Sequence, residues 1–283
     1  MSLFKEFTEL NKICQKPHYK EKGNWMVRNI IREACVPATH FLLKTPVTAN
    51  QVTSFALFLG VAGCVAFLAS SGLSFVWLAA LLQLSYYFDH VDGQIARCKN
   101  QVSLSGMMFD FITHYVIYAA VAASMGLKAY HETGEMFYVY CGIVAAVSLV
   151  SFNLLVDSKI RAFFVEILKH DRVDVKRPVS SGRPGRRSVP AYLFSVLHKT
   201  CEMHVIINTV TVAAILQVLG VGGMGTVAWS RILAVYYAGA AFAIAFIKTF
   251  YHVSTRKPDK EFSDTFSIII EKEEELQNTK EMK

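Results

Sequence analysis

The sequence predicts an all-α integral membrane protein, a six-transmembrane-helix bundle preceded by an N-terminal amphipathic juxtamembrane helix. Hydrophobic residues make up 53% of the 283 residues and the mean hydropathy is positive, which is too apolar for an ordinary soluble domain. Six apolar stretches approach the roughly 20 residues that a helix needs to cross a bilayer. They begin near Val52, Phe75, Leu104, Met136, His204 and Trp229.

Composition divides the chain into three regions. Residues 1–46 form a cytoplasmic or juxtamembrane segment, in which apolar residues recur at helical spacing over Leu3–Ile13; this pattern fits a helix lying on the inner leaflet, and a frayed tail is the alternative. Residues 47–252 form the transmembrane domain, with a cytoplasmic insertion at residues 157–203. Residues 253–283 form a polar cytoplasmic tail.

The distribution of basic residues predicts the orientation in the membrane. Lys and Arg are concentrated before the first apolar stretch and in residues 157–203, whereas Gly220–Ser230 carries no charge. Because short basic connections stay inside, both termini are expected on the cytoplasmic side of the inner membrane. The net charge of +7 then indicates contact with anionic lipid headgroups rather than with nucleic acid. Cysteines without CxxC pairs predict neither disulfides nor a zinc site.

One motif, running from Asp89 to Asp110, carries most of the functional information. Its pattern is DxxDGxxAR, then eight residues, then GxxxD, and it joins the second and third apolar stretches. A charged side chain at membrane depth costs at least roughly 2.5 kcal/mol unless it faces a cavity, a partner or an ion. Three carboxylates this close together, from Asp89, Asp92 and Asp110, therefore predict a bound cation.

The spacing of the motif predicts two helices that hold one ion pocket. Asp89 and Asp92 lie three residues apart and therefore on one helix face, and Asp110 and His114 lie four apart on the next helix. The candidate metal ligands are therefore Asp89, Asp92, Asp110 and His114. Oxygen ligands in this number suit hard divalent ions such as Mg²⁺ or Mn²⁺, which keep positions open for substrate phosphates.

The other motif residues predict a pyrophosphate site beside the ions. Gly93 and Ala96 keep one stretch of helix free of bulk, and Gly106 does the same on the facing helix. Arg97 offers a fork of donors that matches phosphate oxygens. In such a site, catalysis consists of neutralising the departing phosphate and aligning an incoming hydroxyl.

This motif resembles the signature of the CDP-alcohol phosphotransferase (CDP-alcohol phosphatidyltransferase) family, which is DxxDGxxAR, seven or eight residues, and GxxxDxxxD. The resemblance implies transfer of a phosphoalcohol or phosphatidyl group from a CDP-linked donor to an acceptor hydroxyl, with release of CMP, in phospholipid synthesis. It also implies two divalent metals held by the aspartates, a glycine, an alanine and an arginine that seat the CDP moiety, and a homodimer. Six predicted spans fit the same family.

His114 stands where the family has its last aspartate, the proposed catalytic base. An imidazole has one formal negative charge fewer than a carboxylate, so the second metal is expected to bind more weakly. Histidine can act as a general base or as a metal ligand, and one nitrogen cannot do both. We favour His114 as the base. The alternative is a catalytically impaired member that binds a CDP-alcohol or serves as an assembly module. An ion or solute transporter with an acidic relay is a third and weaker hypothesis.

The substrates remain open at this level. Lys159 and Arg161 follow the fourth span and are candidates for binding an acceptor phosphate or carboxylate, although ordinary inside-positive anchoring explains them equally well. The donor is either a CDP-alcohol with a small polar alcohol or CDP-diacylglycerol. The acceptor is a lipid or a polar alcohol that the signature does not specify.

Overall fold

The computed structural model describes residues 3–15, 25–170, 172–175, 189–220 and 226–269. Helices form nearly all of this structure, as the sequence predicts. The elements in chain order are α1 (Leu3–Cys14), a π-helical turn (Val27–Ile31), α2 (Arg32–Leu43), α3 (Ala49–Ala69), α4 (Ser74–Cys98), α5 (Leu104–Thr133), α6 (Met136–Ile167), β1 (Arg172–Val175), α7 (Val189–Thr200), α8 (Met203–Val218), α9 (Thr226–Ser254), α10 (Lys257–Thr265) and β2 (Phe266–Ile269).

Several of these helices mark the chain as a membrane protein. Within the described residues, α3, α5, α6 and α9 are each long and apolar enough to cross a bilayer, and α7 with α8 passes as one broken span bent by 71°. The helix α4 has 25 residues but falls outside this set, because its second half carries the charged motif. The count is therefore four or five spans, and six spans remain a prediction.

The main hydrophobic core lies where α3, α4, α5, α6, α8 and α9 pack together. Its largest buried side chains are Phe67, Phe75, Leu78, Leu82, Met125, Leu149, Ile206, Tyr237 and Ile244. A second, smaller cluster joins α2, α3 and the motif half of α4 through Cys35, Ala49, Val52, Val91 and Ile95. The first half of α4 is thus fixed in the bundle, and its motif half is fixed against the N-terminal helices.

Hydrogen bonds fix the chain at both ends of the motif. Lys99, directly after α4, donates from Nζ to the carbonyl oxygens of Thr45 and Val47 at 2.7 Å each and of Leu42 at 3.4 Å. Ser103 caps α5 by accepting the Gly106 backbone N–H at 3.1 Å, which satisfies one of the donors that a helix start leaves unpaired. The turn between α4 and α5 is therefore held to the α2–α3 connection.

The remaining predicted regions are only partly tested. A helix does form at Leu3–Cys14 and packs against α2 and α4, while its location on a membrane surface stays a prediction. In the predicted tail, β2 pairs antiparallel with β1, with Arg172 opposite Ile269, a small strand pair that the helical patterns did not indicate. Residues 270–283 lie outside the described residues.

The helices α5 and α6 cross at two glycines. A Cβ atom on Gly126 would lie 2.5 Å from the Tyr138 carbonyl oxygen and 2.7 Å from the Gly142 Cα atom, both on α6. These are backbone atoms, so they cannot move aside without separating the helices. The close approach of α5, which carries half of the motif, therefore depends on glycine at this position.

Gly126→Ala is expected to destabilise the protein by about 1–3 kcal/mol, because the added methyl group overpacks the crossing. Thermal unfolding in detergent measures the effect as a lower unfolding temperature. Gly239→Ala is the matched control, since a Cβ atom on Gly239 would meet no described atom within 4 Å. Equal unfolding temperatures for the two variants would contradict the close packing of α5 on α6.

Candidate active site and metal centre

The helices α4 and α5 bring three motif residues to one point. Asp89, the first motif residue on α4, faces Asp110 and His114 of α5, and one potential ligand atom from each lies within 4.8 Å of the others. All three side chains are partly buried, so the charges are only partly screened by solvent. Three of the four predicted metal ligands are thus within reach of one cation.

Asp89 lies between two imidazole rings. His114 Nε2 is 3.0 Å from Asp89 Oδ1 and 4.0 Å from Asp110 Oδ1. An ionised carboxylate can only accept a hydrogen bond, so Nε2 carries the hydrogen and donates it to Asp89. On the other side, His90 Nδ1 donates to the Tyr86 carbonyl oxygen at 2.9 Å and lies 3.6 Å from Asp89 Oδ2.

The fourth predicted ligand, Asp92, is the most buried carboxylate of the motif. Its residue is 7% exposed, and its Oδ2 atom accepts a hydrogen bond of 2.5 Å from Thr53 Oγ1 on α3. This donor stabilises a negative charge that would otherwise be costly to bury. Asp92 is not part of the group formed by Asp89, Asp110 and His114, although it lines the same cavity.

That cavity has a volume of about 330 Å³, which is at the lower end of the range for small-molecule sites. Its wall includes all four candidate metal ligands, and it also includes the four predicted phosphate-site residues Gly93, Ala96, Arg97 and Gly106. Polar side chains that the sequence reasoning missed come from the N-terminal segment and from α3 and α4: Gln15, Arg32, Asn50, Thr53 and Gln94.

Arg97 is held in place from two directions. Its Nε atom donates to the Cys14 carbonyl oxygen at the end of α1, at 2.5 Å. Its guanidinium lies over Gly93, where an added Cβ atom would be 3.4 Å from the nearer terminal nitrogen. A larger residue at position 93 would therefore crowd the guanidinium. Gly106 is similarly confined, because an added Cβ atom would lie 3.1 Å from Ser103 Oγ and 3.2 Å from Asn50 Oδ1.

The structure does not bring Lys159 and Arg161 to this cavity, whose described wall includes neither residue. Lys159 Nζ instead donates to Glu261 Oε2 on α10 at 2.7 Å, and this contact holds the pKa of Glu261 below its usual value. Arg161 is exposed on α6. Sequence patterns gave no indication of the pairing with α10, and a substrate role for these two residues stays a prediction.

The donor set fits a hard divalent cation. Carboxylate oxygens from Asp89, Asp110 and the neighbouring Asp92 are the ligands that Mg²⁺ and Mn²⁺ prefer, and Mn²⁺ also accepts an imidazole nitrogen. Thiol ligands, which favour softer metals, do not contribute, since Cys35 instead contacts the Tyr87 carbonyl oxygen at 3.5 Å. All six cysteines of the chain are free thiols.

The motif and the helices that carry it match a known family model. The family model described as CDP-alcohol phosphatidyltransferase matches residues 46–179, a range that contains α3 to β1 and the whole motif. No curated protein matches the chain significantly. Members of this family are transferases that move a phosphoalcohol group from a CDP-alcohol. The match covers just under half of the chain, and the motif and its convergence around one cavity agree with it, so over this range the chain resembles the CDP-alcohol phosphatidyltransferase family.

Proposed function

We propose that the protein transfers a phosphoalcohol or phosphatidyl group from a CDP-linked donor to an acceptor hydroxyl, releases CMP, and serves phospholipid synthesis. The observation that carries this proposal is the convergence of Asp89, Asp110 and His114 within 4.8 Å on the wall of a cavity that also contains Arg97 and Gly93. One cavity thereby offers ligands for a cation and donors for phosphate.

In this proposal Asp89, Asp92 and Asp110 hold Mg²⁺ or Mn²⁺, with two ions in the loaded site and the second bound more weakly. The bound cations supply neutralisation of the charge that develops on the diphosphate. Gly93 and Ala96 leave room for the nucleotide, and Gly106 does so from α5. Arg97 donates from its terminal nitrogens to a phosphate oxygen, since its Nε atom is already bonded to Cys14.

His114 takes the proton of the acceptor hydroxyl. Its Nε2–H group donates to Asp89, so Nδ1 of the neutral ring carries the free lone pair and is the base. The acceptor oxygen attacks the β-phosphorus in line; the new P–O bond forms as the bond to CMP breaks, and the proton passes to Nδ1. Asp89 orients the ring in the way that a carboxylate orients a catalytic histidine in other enzymes.

We further propose the cellular arrangement that the sequence predicts: a homodimer in the inner membrane, with both termini and the cavity on the cytoplasmic side. Its partners are then a CDP-alcohol or CDP-diacylglycerol donor, a lipid or polar alcohol acceptor, and the surrounding membrane lipids. Labelling of introduced cysteines from either side of sealed vesicles tests the orientation.

The activity is tested by CMP release from purified protein in liposomes, with CDP-diacylglycerol or CDP-choline as donor, a panel of alcohol acceptors, and Mn²⁺ present or removed by chelation. Metal-dependent and acceptor-dependent CMP release is expected.

One observation favours a second function, a noncatalytic binding module. His114 Nε2 already donates a hydrogen bond to an oxygen of Asp89, a predicted metal ligand. Binding of the donor without CMP release across all acceptors would support the noncatalytic binding module and overturn the enzymatic proposal.

Thr53→Val is expected to lower CMP release about tenfold, because Asp92 loses the hydrogen bond that orients it as a ligand. The expected cause is weaker metal binding, so the Mn²⁺ concentration needed for half-maximal rate should rise in parallel. Thr133→Val is the matched control, since the Thr133 hydroxyl bonds the Ala129 carbonyl oxygen and the Glu135 backbone N–H and does not line the cavity. An unchanged Mn²⁺ requirement in Thr53→Val would exclude Asp92 as a ligand that depends on α3.

A further inference from the structure

Gln15, directly after α1, is an unusual member of the cavity wall. It lies outside the range that the family model matches, yet it lines the same cavity as the motif. Its residue is 7% exposed, although glutamine is usually a surface residue. A buried amide in a cavity wall needs hydrogen-bond partners for both of its ends.

Only one end of the Gln15 amide is satisfied in the described structure. Nε2 donates to Asn11 Oδ1 at 2.7 Å and to the Arg32 carbonyl oxygen at 3.2 Å. Because a backbone carbonyl can only accept, this contact fixes which end of the amide is nitrogen. The other end, Oε1, is buried and has no hydrogen-bond partner among the described residues. Gln15 therefore presents one fixed acceptor that lacks a donor.

The position of Gln15 along the cavity indicates which part of a ligand it meets. Arg97 Nε bonds the carbonyl oxygen of Cys14, the residue before Gln15, so Gln15 lies at the Arg97 end. Arg97 follows Asp89 by eight residues of α4, a helical rise of about 12 Å. This is comparable to the length of an extended cytidine diphosphate. Because the Arg97 guanidinium reaches back over Gly93, its terminal nitrogens can meet a diphosphate that lies near the carboxylates, and the base then lies at the Gln15 end.

Two neighbouring polar side chains, Gln94 and Arg97, are less suited than Gln15 to accept a hydrogen bond from a ligand at this end of the cavity. Gln94, the other buried glutamine of the wall, accepts from Thr39 Oγ1 at 2.6 Å and donates to the Arg32 carbonyl oxygen at 2.8 Å, so both ends of its amide are engaged. Arg97 is a donor and suits phosphate oxygens. A ligand group that satisfies Gln15 must be an N–H or O–H donor.

We propose that Gln15 recognises the exocyclic amine of the cytosine base and makes the site selective for cytidine over uridine nucleotides. The inference rests on the proposed use of a CDP-linked donor. Cytosine carries an amine where uracil carries a carbonyl oxygen, so Oε1 accepts a hydrogen bond from cytosine and opposes the oxygen of uracil. Selectivity of this kind comes from leaving a buried polar group unpaired with the wrong ligand.

The test is calorimetric binding of CDP and UDP to the full chain in detergent with Mn²⁺. The unaltered protein is expected to bind CDP about tenfold or more tightly than UDP, and Gln15→Met, which keeps the length but removes the acceptor, should reduce this ratio about tenfold. Gln83→Met is the matched control, because Gln83 bonds Asn208 and Thr211 and does not line the cavity.

A second measurement needs no variant. The unaltered protein should bind CDP about tenfold more tightly than an analogue whose amine carries two methyl groups and no hydrogen. Equal binding of CDP and UDP, or a ratio unchanged in Gln15→Met, overturns the role of Gln15 and leaves the proposed enzyme intact. Failure of the unaltered protein to bind CDP at all, while it still binds Mn²⁺, overturns the proposed function itself.

Discussion

Replacing Asp110 by asparagine is expected to reduce CMP release about a thousandfold, the largest effect of any single change considered for this site. The amide keeps the size of the side chain but removes the negative charge. Asp110 belongs to the group whose ligand atoms lie within 4.8 Å of one another, so this charge is one of the few available to hold a cation there. The affinity for Mn²⁺ should fall together with the rate.

The measurement is the initial rate of CMP release at saturating donor over a range of Mn²⁺ concentrations. Asp157→Asn makes the same chemical change on α6, away from the cavity wall, and should leave the rate within about twofold. Unfolding temperatures of both variants show whether the bundle is intact. A well-folded Asp110→Asn protein with the unaltered rate would remove Asp110 from the metal centre.

His114→Ala is expected to lower CMP release by roughly a hundredfold or more, the usual effect of losing a general base. Because Nε2 is engaged by Asp89, the affinity for Mn²⁺ should change little. His114→Asp restores the family's carboxylate and should bind Mn²⁺ about tenfold more tightly, since it adds a negative charge beside the cations. It should also retain more turnover than the alanine variant.

These outcomes separate the roles that remain open for His114. A loss of Mn²⁺ affinity in His114→Ala that matches the loss of rate would make the imidazole a ligand and not the base. An unchanged rate would exclude it from catalysis. His131→Ala, near the opposite end of α5, controls for the loss of an imidazole from the same helix.

The motif spacing predicted the centre of the site better than its surroundings. Residues three and four apart on neighbouring helices share a face, so the spacing was enough to expect Asp89, Asp110 and His114 together. Thr53 and Gln15 could not be found in this way, because the packing of α3 brings Thr53 to Asp92 and the packing of the N-terminal segment brings Gln15 to the cavity wall. Thr53 carries no distinguishing signal, since Asn50, Gln51 and Ser54 beside it are also polar.

The fold shows the same division. Hydropathy predicted the long apolar helices α3, α5, α6 and α9, since their composition alone satisfies the bilayer. It could not predict the 71° bend between α7 and α8, because a break at Cys201 and Glu202 is set by the neighbours of those residues and not by composition. The pairing of Lys159 with Glu261 likewise joins residues 102 positions apart, beyond the range of any local pattern.

The three carbonyl oxygens that converge on Lys99 Nζ have a consequence for how ligands come and go. They tie the entrance of α3 to the exit of α4, so these two helix ends form a rigid rim. Separating these helix ends to admit a bulky donor would break the hydrogen bonds of the Lys99 ammonium. We therefore expect the nucleotide to enter and leave beside α1 or along the start of α5, where Leu104 and Met108 are exposed.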